Sequence, residues 1–239
     1  MQTVSRRSFL ALAGTSVLAS SALAGCSNET NQPQGDIDEE EKAAPSVEII
    51  ENGFSAPYMG FSTAWAVARN ASDVYAIEMP QVEMTAFDEN DAVIGSDTQP
   101  LTLHTNLTAV PGQTFALAFL FDVGDGSIAR VEARAIEPDD GEYFEWDGDV
   151  PTFDVTNTSE KNDDILGASA SGMVANGFPD TADVQVVAIL RDSNGNGVDA
   201  AFGWSDGVEA GGTGSFEIIF TQNANFVSAD YYALAEYQI

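Results

Sequence analysis

DVQVVAILRDSNGNGV, residues 183–198, sets an apolar run directly before a turn signal. Val184, Val186, Ala188 and Leu190 alternate with Gln185 and Arg191, which is the period-two pattern of a strand. Val187 and Ile189 are apolar too, so the alternation is incomplete. The Asn-Gly pairs at 194–195 and 196–197 supply residues that tolerate positive φ, as a hairpin turn requires. An earlier stretch, VEMTAFDENDAVIG at 82–95, has the same order: Val82, Met84 and Ala86 alternating with Glu83 and Thr85, then Asp88, a polar turn and a second apolar strand.

The likeness extends in both directions. Ala68-Arg69-Asn70 precedes the first stretch, and Val174-Ala175-Asn176 precedes the second. Val110-Pro111-Gly112 and the run Phe115, Leu117, Phe119, Phe121 follow the first. Glu209-Ala210-Gly211 and the run Phe216, Ile218, Phe220 follow the second. Each half therefore reads as strand, Asn and loop, strand ending in Asp, hairpin, strand, Gly turn, apolar strand. No window after residue 46 combines helical periodicity with helix caps. The expectation is an all-β chain of two tandem immunoglobulin-like antiparallel β-sandwiches, at 47–138 and 152–239. The acidic, turn-rich stretch PDDGEYFEWDGDVP leads to a linker at 139–151.

This repeated order resembles the FxLYD domain, a small immunoglobulin-like sandwich of prokaryotic extracytoplasmic proteins. At the eponymous motif the chain has Met84-Thr85-Ala86-Phe87-Asp88 and Ala188-Ile189-Leu190-Arg191-Asp192, and only the Asp is common to both. The context from Asp88 to Gly95 and from Asp192 to Gly197 carries more of the likeness. The resemblance implies a fold, and it implies no catalytic residues.

Outside the sandwiches, the N-terminus reads as an address. Ser5-Arg6-Arg7-Ser8-Phe9-Leu10 is a twin-arginine motif, with Arg6, Arg7, Phe9 and Leu10 its informative residues, ahead of a mildly apolar stretch to Ala24. Leu23-Ala24-Gly25-Cys26 resembles a prokaryotic lipobox and accounts for the chain's one Cys. Residues 1–25 are then a twin-arginine signal peptide, and Cys26 is the lipidated first residue of the mature chain. Residues 26–46 form a polar tether with an acidic run from Asp36 to Glu41, expected to be disordered. Fully extended, its roughly 20 residues reach about 65–70 Å from the anchor.

Composition narrows the chemistry. The 239 residues hold 38 acids, 8 Lys and Arg, one Cys and one His, for a formal net charge of -30. So few cations exclude a nucleic-acid face, and one Cys with one His excludes a Cys/His zinc cluster. No cofactor is expected. Asp192, Asn194 and Asn196, with Asp199 nearby, open like a calcium loop, but the closing positions are Ala200 and Gly203. The competing and preferred reading is a plain hairpin turn. His104 reads as a surface or sheet-edge residue, and Trp146 as packing or a sugar platform. Asn28, Asn70, Asn106 and Asn157 open glycosylation sequons.

Together these features lead to a non-enzymatic, membrane-anchored extracytoplasmic lipoprotein, facing the periplasm or the cell surface. Its expected partners are the twin-arginine translocase during export, a membrane through the lipid, and an envelope protein or polysaccharide. The alternative is an accessory subunit of an envelope transporter or redox complex. In either case self-repulsion among the acids opposes compaction. The screening length falls from about 10 Å at 0.1 M salt to about 3 Å at 1 M. The thermal midpoint should therefore rise between those sodium chloride concentrations, and calorimetry showing a flat or falling midpoint refutes this.

Overall fold

The computed structural model describes residues 45–98, 100, 106–163, 167–220 and 225–237. Among them every regular element is a strand and every strand pairing is antiparallel. The first half contributes β1 (Val47–Phe54), β2 (Phe61–Asn70), β3 (Tyr75–Glu78), β4 (Val82–Phe87), β5 (Val93–Asp97), β6 (Leu107–Ala109), β7 (Thr114–Asp122) and β8 (Arg130–Ala135). β9 (Tyr143–Glu145) follows. The second half contributes β10 (Val155–Asp163), β11 (Gly167–Ala175), β12 (Ala182–Arg191), β13 (Gly197–Val208), β14 (Thr213–Ile219) and β15 (Ser228–Glu236).

The sequence repeat is a repeat of topology. Sheets β1-β2-β7 and β5-β4-β8 in the first half correspond strand for strand to β10-β11-β14 and β13-β12-β15 in the second. Even the irregularities recur. In the β4–β5 hairpin Ala86 faces Gly95 and Phe87 faces Val93, leaving Ile94 as an extra residue. In the β12–β13 hairpin Leu190 faces Asp199 and Arg191 faces Gly197, leaving Val198 as the extra one. Such bulges bend a strand and raise its local twist.

Asn70 and Asn176, at or just beyond the ends of β2 and β11, are buried at 0% and 1% exposure. Each closes its loop through the side chain. Asn70 Nδ2 donates to the carbonyls of Tyr75 (2.8 Å) and Ala109 (2.9 Å), and its Oδ1 accepts from Ser72 N–H. Asn176 Nδ2 donates to Asp180 and Val208 carbonyls, both at 2.8 Å, and its Oδ1 accepts from Phe178 N–H. Satisfying buried loop carbonyls in this way is what makes a buried amide tolerable.

Three apolar clusters stack the four sheets. Ala64, Ala66 and Ala68 of β2 with Phe115, Leu117, Phe119 and Phe121 of β7 meet Val82, Met84 and Ala86 of β4 inside the first sandwich. Val184, Val186, Ala188 and Leu190 of β12 meet Ala168, Ala170, Phe216 and Ile218 inside the second. The third cluster joins the halves. Trp65, Val67, Ala116 and Ala118 on the outer face of β2 and β7 pack on Val187, Ile189 and Ala200 on the outer face of β12 and β13.

The halves also share a sheet. β6 and β3, strands that the second copy lacks, extend the second sandwich in the order β13-β12-β15-β6-β3-β9. β9 lies within 139–151, the stretch expected as a linker. It pairs with β3, and Trp146 beside it packs on Phe178 and Tyr237 at ring distances of 5.9 and 5.3 Å. The aromatic side chains of this acidic stretch give it apolar area to bury, which holds it against both halves.

Trp65 is 1% exposed, and its truncation opens the seam between the sandwiches. Trp65→Ala should destabilise the protein by about 3–5 kcal/mol. Tryptophan emission and near-ultraviolet circular dichroism should report one shared unfolding transition in the parent. A loss below about 1 kcal/mol would show that the seam contributes little.

Candidate functional site

The Asp192 turn is closed by its own backbone. Asp192 Oδ1 accepts N–H bonds from Asn194 (2.8 Å) and Asn196 (2.9 Å), and Gly195 N–H donates to the Asp192 carbonyl at 3.0 Å. Gly195 takes φ 83°, the left-handed conformation such a turn needs. The first copy repeats the device: Asp88 Oδ1 accepts from Asn90 and Ala92, and Asp91 takes φ 60°. Backbone bonds, from Asn196 foremost on Asp192 and from Ala92 foremost on Asp88, hold both carboxyls below their usual range. These Asp side chains act as turn clasps.

Asp199 sits apart from that turn. It faces Leu190 across the hairpin and is 0% exposed. Its Oδ1 accepts the N–H of Ala200, and its Oδ2 is buried with no hydrogen-bond partner. Burial pushes its pKa up to about 7, against the smaller opposing effect of the Ala200 bond. The first copy has Gly95 at this position, where a Cβ would already lie 3.2 Å from the Phe121 ring. Among the described residues no group of three or more His, Cys, Asp and Glu is arranged to hold a metal ion.

One cleft among the described residues lies between the two halves. It has a volume of about 330 Å³ and runs between the Val110–Thr114 turn, residues 150–153 and Tyr231–Ala233. Pro111 and Pro151 line it with Phe153, Tyr231 and Tyr232. Gln113 bridges the halves beneath it, its Nε2 donating to the Ala233 carbonyl at 2.8 Å. Close by, Arg191 of β12 forms a bidentate pair with Glu51 of β1 and donates through Nε to Asp230 Oδ2 at 2.8 Å. The guanidinium is held above its usual pKa, first by the Glu51 bond.

A second feature is an exposed hairpin tip. The β1–β2 hairpin turns at Met59 and Gly60, with φ 51° and 84°, and Tyr58 and Phe61 exchange backbone bonds of 2.7 and 3.0 Å. Tyr58, Met59 and Phe61 are exposed there, Met59 at 80%. A bulky residue at positive φ is strained, and strain of this kind gathers at functional surfaces. Strand periodicity carries no mark of this tip. Its signal was Tyr58-Met59-Gly60-Phe61, an apolar run where Asn-Gly would be easier.

Cys26, Arg6, Arg7, Phe9, Leu10, Asn28 and His104 lie outside the described residues. Trp146 is half-buried in an aromatic cluster with Phe144, Phe178 and Tyr237. No known family model, curated protein or solved structure matches this chain.

Asp199 makes stability depend on pH with a definite sign. Its folded pKa of about 7 lies above the usual 3.8. Its contribution is therefore whole below about pH 4 and is lost as pH rises through about 7. Asp88 and Asp192 act in the opposite sense, losing stability as pH falls. Asp199→Asn should raise stability at pH 8 by up to a few kcal/mol and much less at pH 4.5. An equal shift at both values in denaturant titrations refutes the ionisation.

Proposed function

We propose that this chain is a non-enzymatic lipoprotein of the cell envelope, exported by the twin-arginine route, anchored through Cys26, and displaying two stacked sandwiches for binding or assembly. The observation that carries the reading is the order Arg6-Arg7, apolar stretch, Leu23-Ala24-Gly25-Cys26, acidic tether, with the first strand of the fold opening at Val47. A lipid anchor and a polar tether suit a body that works at a distance from its membrane. Each buried CH₂ contributes about 0.8 kcal/mol, so two or more chains hold the protein stably.

The repeated Asp turn and bulge support the FxLYD-like reading of both halves, since they recur where that resemblance is strongest. Two surfaces are available for recognition: the aromatic seam cleft and the Tyr58–Phe61 tip. The surrounding acidity favours a cationic or neutral partner, because like charges juxtaposed across an interface repel. An envelope protein with a basic rim, or a neutral polysaccharide, meets that condition.

Cys26→Ala should release the protein from the membrane fraction or leave an uncleaved precursor. Replacing Arg6 and Arg7 together by Lys should hold the chain inside the cell. Unchanged fractionation and unchanged mature mass in the Cys26 variant would refute the anchor.

A further inference from the structure

Four Asn-x-Ser/Thr sequences occur, at Asn28, Asn70, Asn106 and Asn157, and Asn28 lies outside the described residues. The fold sorts the other three. A transferase must reach the Asn amide and also read the hydroxyl two residues on. Asn70 offers neither freely. It is 0% exposed, and its Nδ2 is committed to the carbonyls of Tyr75, Ala109 and Val110. Asn106 is exposed, but the hydroxyl of its sequon belongs to Thr108, which is 0% exposed with its Oγ1 enclosed. Thr108 sits in β6, between β15 and β3.

The third sequon is presented differently. Asn157, Thr158 and Ser159 are all exposed. They lie on β10, which among the described residues pairs with β11 alone and is an edge of its sheet. The register slips between Thr156 and Ser159, so the strand carries a bulge there. Asn157 takes φ 52°, a conformation Asn tolerates better than most residues. The sequon thus begins in the bulge at Asn157 and ends at Ser159, which pairs with Ser171 on β11, and all three of its residues are exposed to solvent.

We propose that Asn157 is an N-glycosylation acceptor, taking its glycan from an oligosaccharide linked through phosphate to a lipid carrier. Asn157 Nδ2 attacks the anomeric carbon of the first sugar. The new C–N bond forms as the bond from that carbon to the carrier phosphate oxygen breaks. The carrier leaves as its phosphate anion, the amide proton passes to a base, and nothing is oxidised or reduced. The inference rests on the extracytoplasmic, twin-arginine reading, because a chain exported already folded offers only the sequons its fold exposes. A glycan here also covers the open edge of β10, and an uncovered edge strand is a template for unwanted strand pairing.

The test uses the full chain purified from its native membranes, with peptide mass spectrometry on one sample. The Asn157 peptide should carry added masses in sugar increments, while the Asn70 and Asn106 peptides carry none. Asn157→Gln and, separately, Ser159→Ala should each abolish the addition, whereas Thr158→Ala retains it. Ser159→Ala guards against a folding defect caused by altering the strained residue itself. A bare Asn157 peptide beside a lipidated Cys26 peptide overturns this proposal alone. A bare Asn157 peptide with an unlipidated Cys26 and a cytoplasmic protein overturns the location as well. Glycan on Asn70 or Asn106 instead of Asn157 overturns the selection by exposure.

Discussion

The Trp65 indole is clamped between two glycines, one from each half, and the arrangement of the sandwiches follows from it. A Cβ on Gly53 of β1 would lie 2.5 Å from Trp65 Cζ2, and so would a Cβ on Gly197 of β13. No side chain fits at either position, so the ring lies against bare backbone on both sides. Its N–H is buried without an acceptor. An unsatisfied buried donor costs about 1–3 kcal/mol, so the area buried by the ring has to outweigh that loss. Large aromatic rings bury about 150–250 Å², enough to do so at about 25 cal/mol per Å².

The seam is also where the two copies diverge. By register, Trp65 and Val67 of β2 correspond to Ser171 and Met173 of β11, and Ala116 and Ala118 of β7 to Ser215 and Glu217 of β14. In the other pair of sheets, Val187 and Ile189 of β12 correspond to Glu83 and Thr85 of β4, and Ala200 to Ser96. Each copy thus carries apolar residues on the one outer face that is covered and mostly polar residues on the face that is not. The joint between copies is head to tail, the kind that propagates when both faces stay sticky. Thr85 and Ser96 are hydrogen-bonded at 2.9 Å, and Arg134 pairs with Glu83 at 2.9 Å on the outer face of the first copy. Polar terminal faces limit the stack to two, as capping repeats do in longer arrays.

The strands, the Asp turns and the repeat were legible in the sequence because they depend on local rules: period-two alternation, and turn residues that tolerate positive φ. The joint between the halves was not read, although its trace was present. Val187 and Ile189 spoiled the alternation of β12 because that strand is buried on both faces, and such strands read as nearly continuous apolar runs. Trp65 and Val67 within AWAVA carried the same mark. β9 was missed because three residues give no period, and acidic neighbours disguised its aromatic anchors. Asp199 looked like a loop carboxylate. Only the register opposite Leu190 shows that it points into the core, and register depends on pairings distant in sequence.

The scarcity of cations explains why shape, rather than charge, specifies the joint. Eight Lys and Arg face 38 acids, so most carboxylates have no counter-ion and belong in water. Four stacked layers allow the apolar core to grow while only Asp199, among the described acids, is fully buried. Arg191 is the exception among the described cations: its side chain is 10% exposed, and it spans the seam to Glu51. With Arg191 largely buried and the Glu51 side chain 36% exposed, the pair is screened less than two fully exposed charges. Salt therefore relieves repulsion over the whole acidic surface while weakening this cross-seam ion pair only in part. The two effects do not cancel, and the fit of Trp65 between its glycines lies outside the reach of either.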